Sequence, residues 1–145
     1  MSTSLEVPEA DPCPFCEYLN GTRPFTILTR NSLTATLVTR EQRGVGHLLV
    51  LPIEHRPTLL DLSGTEAPAV MKAVIVAAKA ITDAYQVEGI AVWQNNGIPA
   101  HQTIPHVHFH IAGTLPEGGT EWNAVDEASV AETDAIARKL RPFMP

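Results

Sequence analysis

Cysteine is scarce in this chain. Cys13 and Cys16 are the only two among 145 residues, so no framework of long-range disulfides is available. A chain of this length fits one domain and buries roughly two-thirds of the surface its unfolded form exposes, enough for a core without covalent staples. A surplus of positive charge is also missing: 10 Lys and Arg stand against 16 Asp and Glu, a net charge of -6. That excludes broad, sequence-independent binding to DNA or to an anionic membrane, both of which draw on clustered Lys and Arg. A small anionic ligand stays open if the positive charge is local. No apolar run approaches the roughly 20 residues needed to span a bilayer. The first residues carry acids where a secretory signal needs a basic region and an apolar run, so the expected location is cytoplasmic. What is abundant is ordinary globular composition, 44% hydrophobic and 18% charged.

Residues 1–11 read as a flexible leader and residues 12–145 as a single domain. From Phe25 the pattern is β: Phe25 to Thr29, Leu33 to Thr39, and the buried run His47 to Leu51, with Arg40 to Gly46 as the turn between the last two. Between about Thr65 and Gln86 the period becomes helical, with Val70, Val74, Ala77, Ala78, Ile81 and Tyr85 on one stripe. Ser63-Gly-Thr-Glu66 reads as a capping box, although Pro68 then sits one residue too deep and makes Thr65 the competing cap. Gly89 opens another strand, Ile90 to Gln94, and a loop rich in Gly, Pro and small residues from Asn95 delivers the chain to His106. Ser129-Val-Ala-Glu132 caps a short helix running to about Leu140. The expected class is α+β: an antiparallel sheet of about five strands, one long helix and a short C-terminal helix.

Half of the six histidines alternate at His106, His108 and His110, within Gln102-Thr-Ile-Pro-His-Val-His-Phe-His-Ile111. The intervening Val107, Phe109 and Ile111 give the period of a half-buried strand, which places the three imidazoles on one face. Two such histidines can share one zinc, but three span about 13 Å of backbone, too far to meet a single ion. The alternatives are therefore a reactive imidazole, a partial metal site, or structural histidines bonded to carbonyls. Cys13 and Cys16 have the spacing of a zinc knuckle or a redox pair. The redox reading wants a helix opening at the second cysteine, whereas Pro14, Asn20, Gly21 and Pro24 suggest a knuckle and loop. Two unmetallated thiols are the remaining alternative, because a structural zinc needs four ligands.

The segment from Gln102 to Ile111 resembles the histidine triad signature of the nucleotide hydrolases and transferases named for it. Asn95-Asn96-Gly97, His47-Leu-Leu-Val-Leu-Pro52 with Glu54-His55 behind it, and Cys13-Pro-Phe-Cys16 also fall where that family has them. The resemblance implies an HIT-like fold and a nucleotide substrate, a phosphoramidate or a dinucleoside polyphosphate, cleaved at the α-phosphate. His108 is then the nucleophile, forming a nucleotidyl-histidine. His110 and His47 donate to the phosphate oxygens, Thr103 passes a proton to the leaving group, and Asn95 and Gln102 contact substrate. In the family's zinc-containing branch, Cys13, Cys16, His55 and His106 would hold a structural zinc. A homodimer built edge to edge is implied as well.

The match weakens at Thr39, where the family usually places an acidic or amide side chain on the ribose diol. A hydroxyl cannot make a carboxylate's paired, charge-assisted bonds, so adenosine preference is open. His101 stands where the family usually has a small residue, often Gly. Trp93 alternates within its strand and reads as packing. Trp122, after the Gly118-Gly119 turn, fits either a cover over the site or a dimer seam. Two other functions compete: a zinc-stabilised nucleotide-binding or interaction protein with little catalysis, and a metal-dependent hydrolase using His106 and His108 with a carboxylate.

Overall fold

The computed structural model describes residues 4–145. Five strands form one antiparallel sheet: β1 Ile27–Arg30, β2 Thr34–Val38, β3 Val45–Pro52, β4 Ile90–Trp93 and β5 Phe109–Gly113, in the order β1-β2-β3-β5-β4. The helices are α1 Pro14–Asn20, α2 Glu66–Tyr85 and α3 Val130–Leu140. The class expected from the sequence is the one observed.

Strand alternation divides the core into two layers. Val38, Leu48, Val50 and Ile111 join Val70, Val74, Ala77, Ala80 and Ile81 of α2 and Ala137 and Leu140 of α3. Ala35, Leu37, Leu49 and Leu51 point the other way, onto Phe15 of α1 and Cys13. The period of two thus sends neighbouring residues of β3 and β5 into different layers. The α2 stripe is the expected one, except that Ala80 is buried where Ala78 is only partly so. The Ser63 capping box forms: its hydroxyl accepts the Glu66 N–H at 3.0 Å and Glu66 Oε1 accepts the Ser63 N–H at 2.9 Å, while Thr65 makes no side-chain cap. Buried Glu66 also receives Arg56 Nε at 2.9 Å. Burial pushes the Glu66 carboxyl up, but the Ser63 bonds and the Arg56 guanidinium outweigh it and hold the group below its ordinary range.

Two local expectations are corrected. The segment after Cys13 is a helix rather than a knuckle and loop. Pro14 sits at its first turn, where a missing N–H costs nothing, and Gly21 at φ 81° ends it in the left-handed cap. The histidine segment is not one strand from His106. Only His110 belongs to β5; the Val107 N–H bonds Arg56 O at 2.7 Å instead of a strand neighbour. Of the leader, residues 1–3 lie outside the described residues. Glu6 O accepts the Ile98 N–H at 2.8 Å, which ties the segment from Ser4 onward to the loop before the histidines.

Candidate active site and metal centre

His110 is the register partner of both Leu49 on β3 and Trp93 on β4, so it faces the α1 layer from mid-sheet. His47, two residues from Leu49 on β3, reaches it: His47 Nε2 and His110 Nδ1 are 3.0 Å apart. The direction of this bond follows from its far end. The backbone N–H of Arg43 can only donate, and it lies 3.1 Å from His47 Nδ1. That nitrogen therefore accepts, His47 carries its proton on Nε2 and donates it to His110 Nδ1, and His110 is left with its proton on Nε2. Burial, then the Arg43 guanidinium, pushes His47 down to about 4. Burial, then the neighbouring His108 and His47, pushes His110 far down as well. Both rings are neutral near pH 7, as the proton chain requires.

His108 precedes the strand and is bonded differently. Its Nδ1 lies 2.8 Å from the carbonyl of His106, which can only accept, so the proton is on Nδ1 and the Nε2 lone pair is free. Nε2 has no protein partner among the described residues, and no fully buried side-chain nitrogen or oxygen there is left unpaired, so this atom opens on the neighbouring cavity. The ring is 8% exposed, and burial lowers its pKa, which keeps the lone pair available. Phe15 packs edge-on against it at 4.9 Å between centroids. The cavity, about 420 Å³, is lined by His108, His110, Thr103 and Thr39, together with Phe15, Tyr18, Phe25, Arg23 and Arg40. Glu41 and Glu127 stand in the same wall, Glu127 3.8 Å from Arg40, so the two arginines are balanced by two carboxylates. A recess of about 510 Å³ between the β1–β2 hairpin and α2 has no histidine or cysteine in its wall.

A third grouping lies beside the first two. One ligand atom from each of Cys13, Cys16, His55 and His106 falls within 4.8 Å of the others. His106 Nδ1 lies 3.6 Å from Cys13 Sγ and 3.7 Å from Cys16 Sγ, and His55 Nδ1 lies 3.4 Å from Cys16 Sγ. A tetrahedral zinc with Zn–S of about 2.3 Å and Zn–N of about 2.0–2.1 Å sets its S···N ligand separations at about 3.5–3.6 Å. The His106 Nε2 proton goes to Pro52 O at 2.9 Å, which orients the ring and aims the Nδ1 lone pair at the sulfurs. Burial, then Cys13 and Glu54, pushes the Cys16 thiol up to about 11; a bound cation would supply the charge that thiolate needs. The residues fit a metal of this kind. His108 takes no part in the cluster, and no carboxylate joins His106 and His108 in a metal cluster among the described residues.

Residues 20–116 match the HIT domain model. The chain belongs to the HIT domain family. This HIT protein is 35% identical over 110 residues to adenosine 5'-monophosphoramidase of Schizosaccharomyces pombe, covering 76% of this chain and 77% of that one. Among solved structures it is similar to an HIT-like protein from Bartonella henselae, with a TM-score of 0.86 and 25% identity over 94% of this chain and 98% of the other. A zinc-bound histidine triad family protein from Mycobacterium smegmatis has the same fold, with a TM-score of 0.77 and 20% identity over 90% and 91% of the two chains.

The remaining sequence candidates fall into distinct places. Thr39 and Thr103 line the cavity, and Thr39 Oγ1 accepts the Glu41 N–H at 3.2 Å, which leaves its own proton to donate. Gln102 does not line it: its amide bonds Gly97 N, Pro57 O and Ile104 O at 2.7, 2.7 and 2.9 Å, so it orders the loop. Asn95 is outside the cavity wall too, with Nδ2 on Ala100 O at 2.9 Å. His47 is 1% exposed and stands behind His110. His101 adopts φ 66°, a left-handed conformation that explains a preference for Gly at its position. Phe15, Tyr18, Phe25, Arg23 and Arg40 were not singled out from the sequence. Their only signal was an aromatic and basic enrichment between Phe15 and Arg40, which acquires meaning once α1 is folded over the sheet.

Proposed function

We propose that this HIT protein hydrolyses or transfers at the α-phosphate of a nucleotide derivative, a nucleoside phosphoramidate first among them, through a nucleotidyl intermediate on His108. The observation that carries this reading is the Nδ1–H bond from His108 to the His106 carbonyl, which leaves Nε2 unpaired at the cavity. A neutral imidazole held in this way is a competent nucleophile. The Nε2 lone pair forms the bond to phosphorus as the bond to the leaving amine breaks, and the amine takes a proton that the Thr103 hydroxyl passes on from solvent and regains from it. The positive charge on the modified ring is met by the His106 carbonyl. The His110 Nε2–H donates to a non-bridging phosphate oxygen, where charge accumulates in the transition state. His47 contributes by fixing the tautomer of His110. Water then displaces Nε2 from phosphorus and gives up a proton to solvent, releasing the 5'-monophosphate and restoring the neutral imidazole.

Cys13, Cys16, His55 and His106 are proposed to hold a structural zinc, which when bound supplies rigidity. Its effect would reach the reacting ring through one residue, because the His106 side chain faces the sulfurs while its carbonyl holds His108. The S. pombe relative supports a phosphoramidate substrate. Thr39, at the cavity wall, sets how firmly a ribose diol is held. The test is steady-state hydrolysis of adenosine 5'-phosphoramidate by the wild type and by His108→Ala. Turnover by the wild type with a loss of about a thousandfold or more in the variant is expected. Equal rates refute the nucleophile, and absence of turnover by the wild type on phosphoramidates and dinucleoside polyphosphates alike leaves a binding or interaction protein.

A further inference from the structure

Hydrogen bonding alone does not fix the direction of the His110 proton. The bond from His47 Nε2 constrains one ring atom, Nδ1, and leaves the imidazole free to tilt about it. The second constraint comes from the sheet edge. Trp93, the last residue of β4, is the direct register partner of His110, so the two side chains rise from one face at cross-strand spacing. Their rings lie parallel, with an interplanar angle of 3° and centroids 4.8 Å apart. The His108 ring also closes on His110, at 5.0 Å and 62°.

The backing of Trp93 is built from the same turn that orients His47. Arg43 Nη1 donates to Glu121 O at 3.1 Å and to Asn123 O at 2.7 Å, and Arg43 O accepts the Glu121 N–H at 2.7 Å. Those bonds bracket Trp122, whose ring centroid lies 5.8 Å from that of Trp93. Arg43 therefore anchors a hydrogen-bond arm through its N–H and a stacking arm through its guanidinium, and both arms end on His110.

We infer that Trp93 is a positioning residue for His110: it fixes the plane of the imidazole so that the Nε2–H points at the phosphate oxygen position beside His108. The inference rests on the proposed role of His110 but has a readout that does not depend on activity. A ring that tilts misdirects its proton without weakening ground-state binding, so the loss should fall on kcat rather than KM.

The experiment pairs two measurements on the wild type, Trp93→Phe, Trp93→Leu and Trp93→Met. One is hydrolysis of adenosine 5'-phosphoramidate; the other is the long-range ¹⁵N–¹H spectrum of the free protein, which reads imidazole tautomers and ring-current shifts. Trp93→Leu should lose about tenfold in kcat, with KM within about twofold. Its His110 ring protons should lose their upfield shift and its ring signals should broaden as the ring samples several planes, while Nε2 keeps its proton because His47 still donates to Nδ1. Trp93→Phe, which keeps an aromatic face, should restore both; Trp93→Met covers the case in which Leu does not fold. Unchanged His110 spectra in a folded Leu or Met variant overturn the inference, as does a kcat loss that Phe does not rescue. If the wild type does not turn over the phosphoramidate, the proposed function fails, and the spectra alone decide the role of Trp93.

Discussion

The three triad histidines are chemically unlike one another because each has a different partner. His106 gives Nε2–H to Pro52 and faces two sulfurs, His108 gives Nδ1–H to a backbone carbonyl, and His110 accepts from His47. Their scarcity and spacing were legible in the sequence, whereas the grouping of Cys13, Cys16, His55 and His106 came only through the family resemblance. The division of labour between Gln102 and the cavity wall was not, because it depends on carbonyls such as Pro57 O, 45 residues away. Two predictions belong at this scale. His47 is held neutral in the fold to about pH 4, whereas in the unfolded chain it takes up a proton near pH 6.5. The unfolded state thus binds more protons between these values, so stability is complete above about 6.5 and falls as pH drops toward 4, by up to about 3 kcal/mol from this residue. Urea unfolding at pH 7.5 and pH 5 should show the fall, and His47→Gln should flatten part of it. Thr39→Asp should lower KM for adenosine 5'-phosphoramidate without raising kcat, since a carboxylate gives the ribose diol stronger acceptors; an unchanged KM places the diol elsewhere.

Among the elements, α1 does the most with the fewest residues. Its seven residues contribute Cys16 to the metal cluster, put Phe15 against His106 and His108 at 5.7 and 4.9 Å, and set Tyr18 in the cavity wall. Pro14 and Gly21 are loop signals in isolation, but here they punctuate the two ends of a helix too short to show a hydrophobic period. The longer α2, of 20 residues, was legible from its stripe and its Ser63 box, and α3 from its Ser129 capping box. Since Phe15 is buried in the core as well as against the imidazoles, Phe15→Ala should cost about 3–5 kcal/mol in denaturant unfolding and lower activity at temperatures where the variant is folded. Cys16→Ser should reduce bound zinc, read by elemental analysis, and lower the melting temperature. Activity that survives at low temperature supports a structural metal, whereas activity tracking zinc content in fully folded protein contradicts it.

At the scale of the molecule, the sheet separates support from chemistry. One face packs on α2 and α3 and carries the main apolar core; the other, under α1, carries His47 and His110, with His106 and His108 against Phe15. Alternation on β3 and β5 produces this division, so the periods announce the class, but not the strand order, in which β5 lies between β3 and β4. No described helix is long and apolar enough to cross a membrane. Among the described residues β4 leaves one edge of the sheet unpaired, with Val92 49% exposed on it. We propose that two copies associate at this edge, and sedimentation should give about twice the 15.7 kDa of one chain. The central claim concerns a covalent bond, and it is met most directly by quenching the wild type within its first turnover of adenosine 5'-phosphoramidate and weighing the intact protein. A mass increase of one adenylyl group, mapped by peptide analysis to His108 and absent from His108→Ala, is the predicted result. Turnover with no adduct at any early time, or an adduct on another residue, would contradict it.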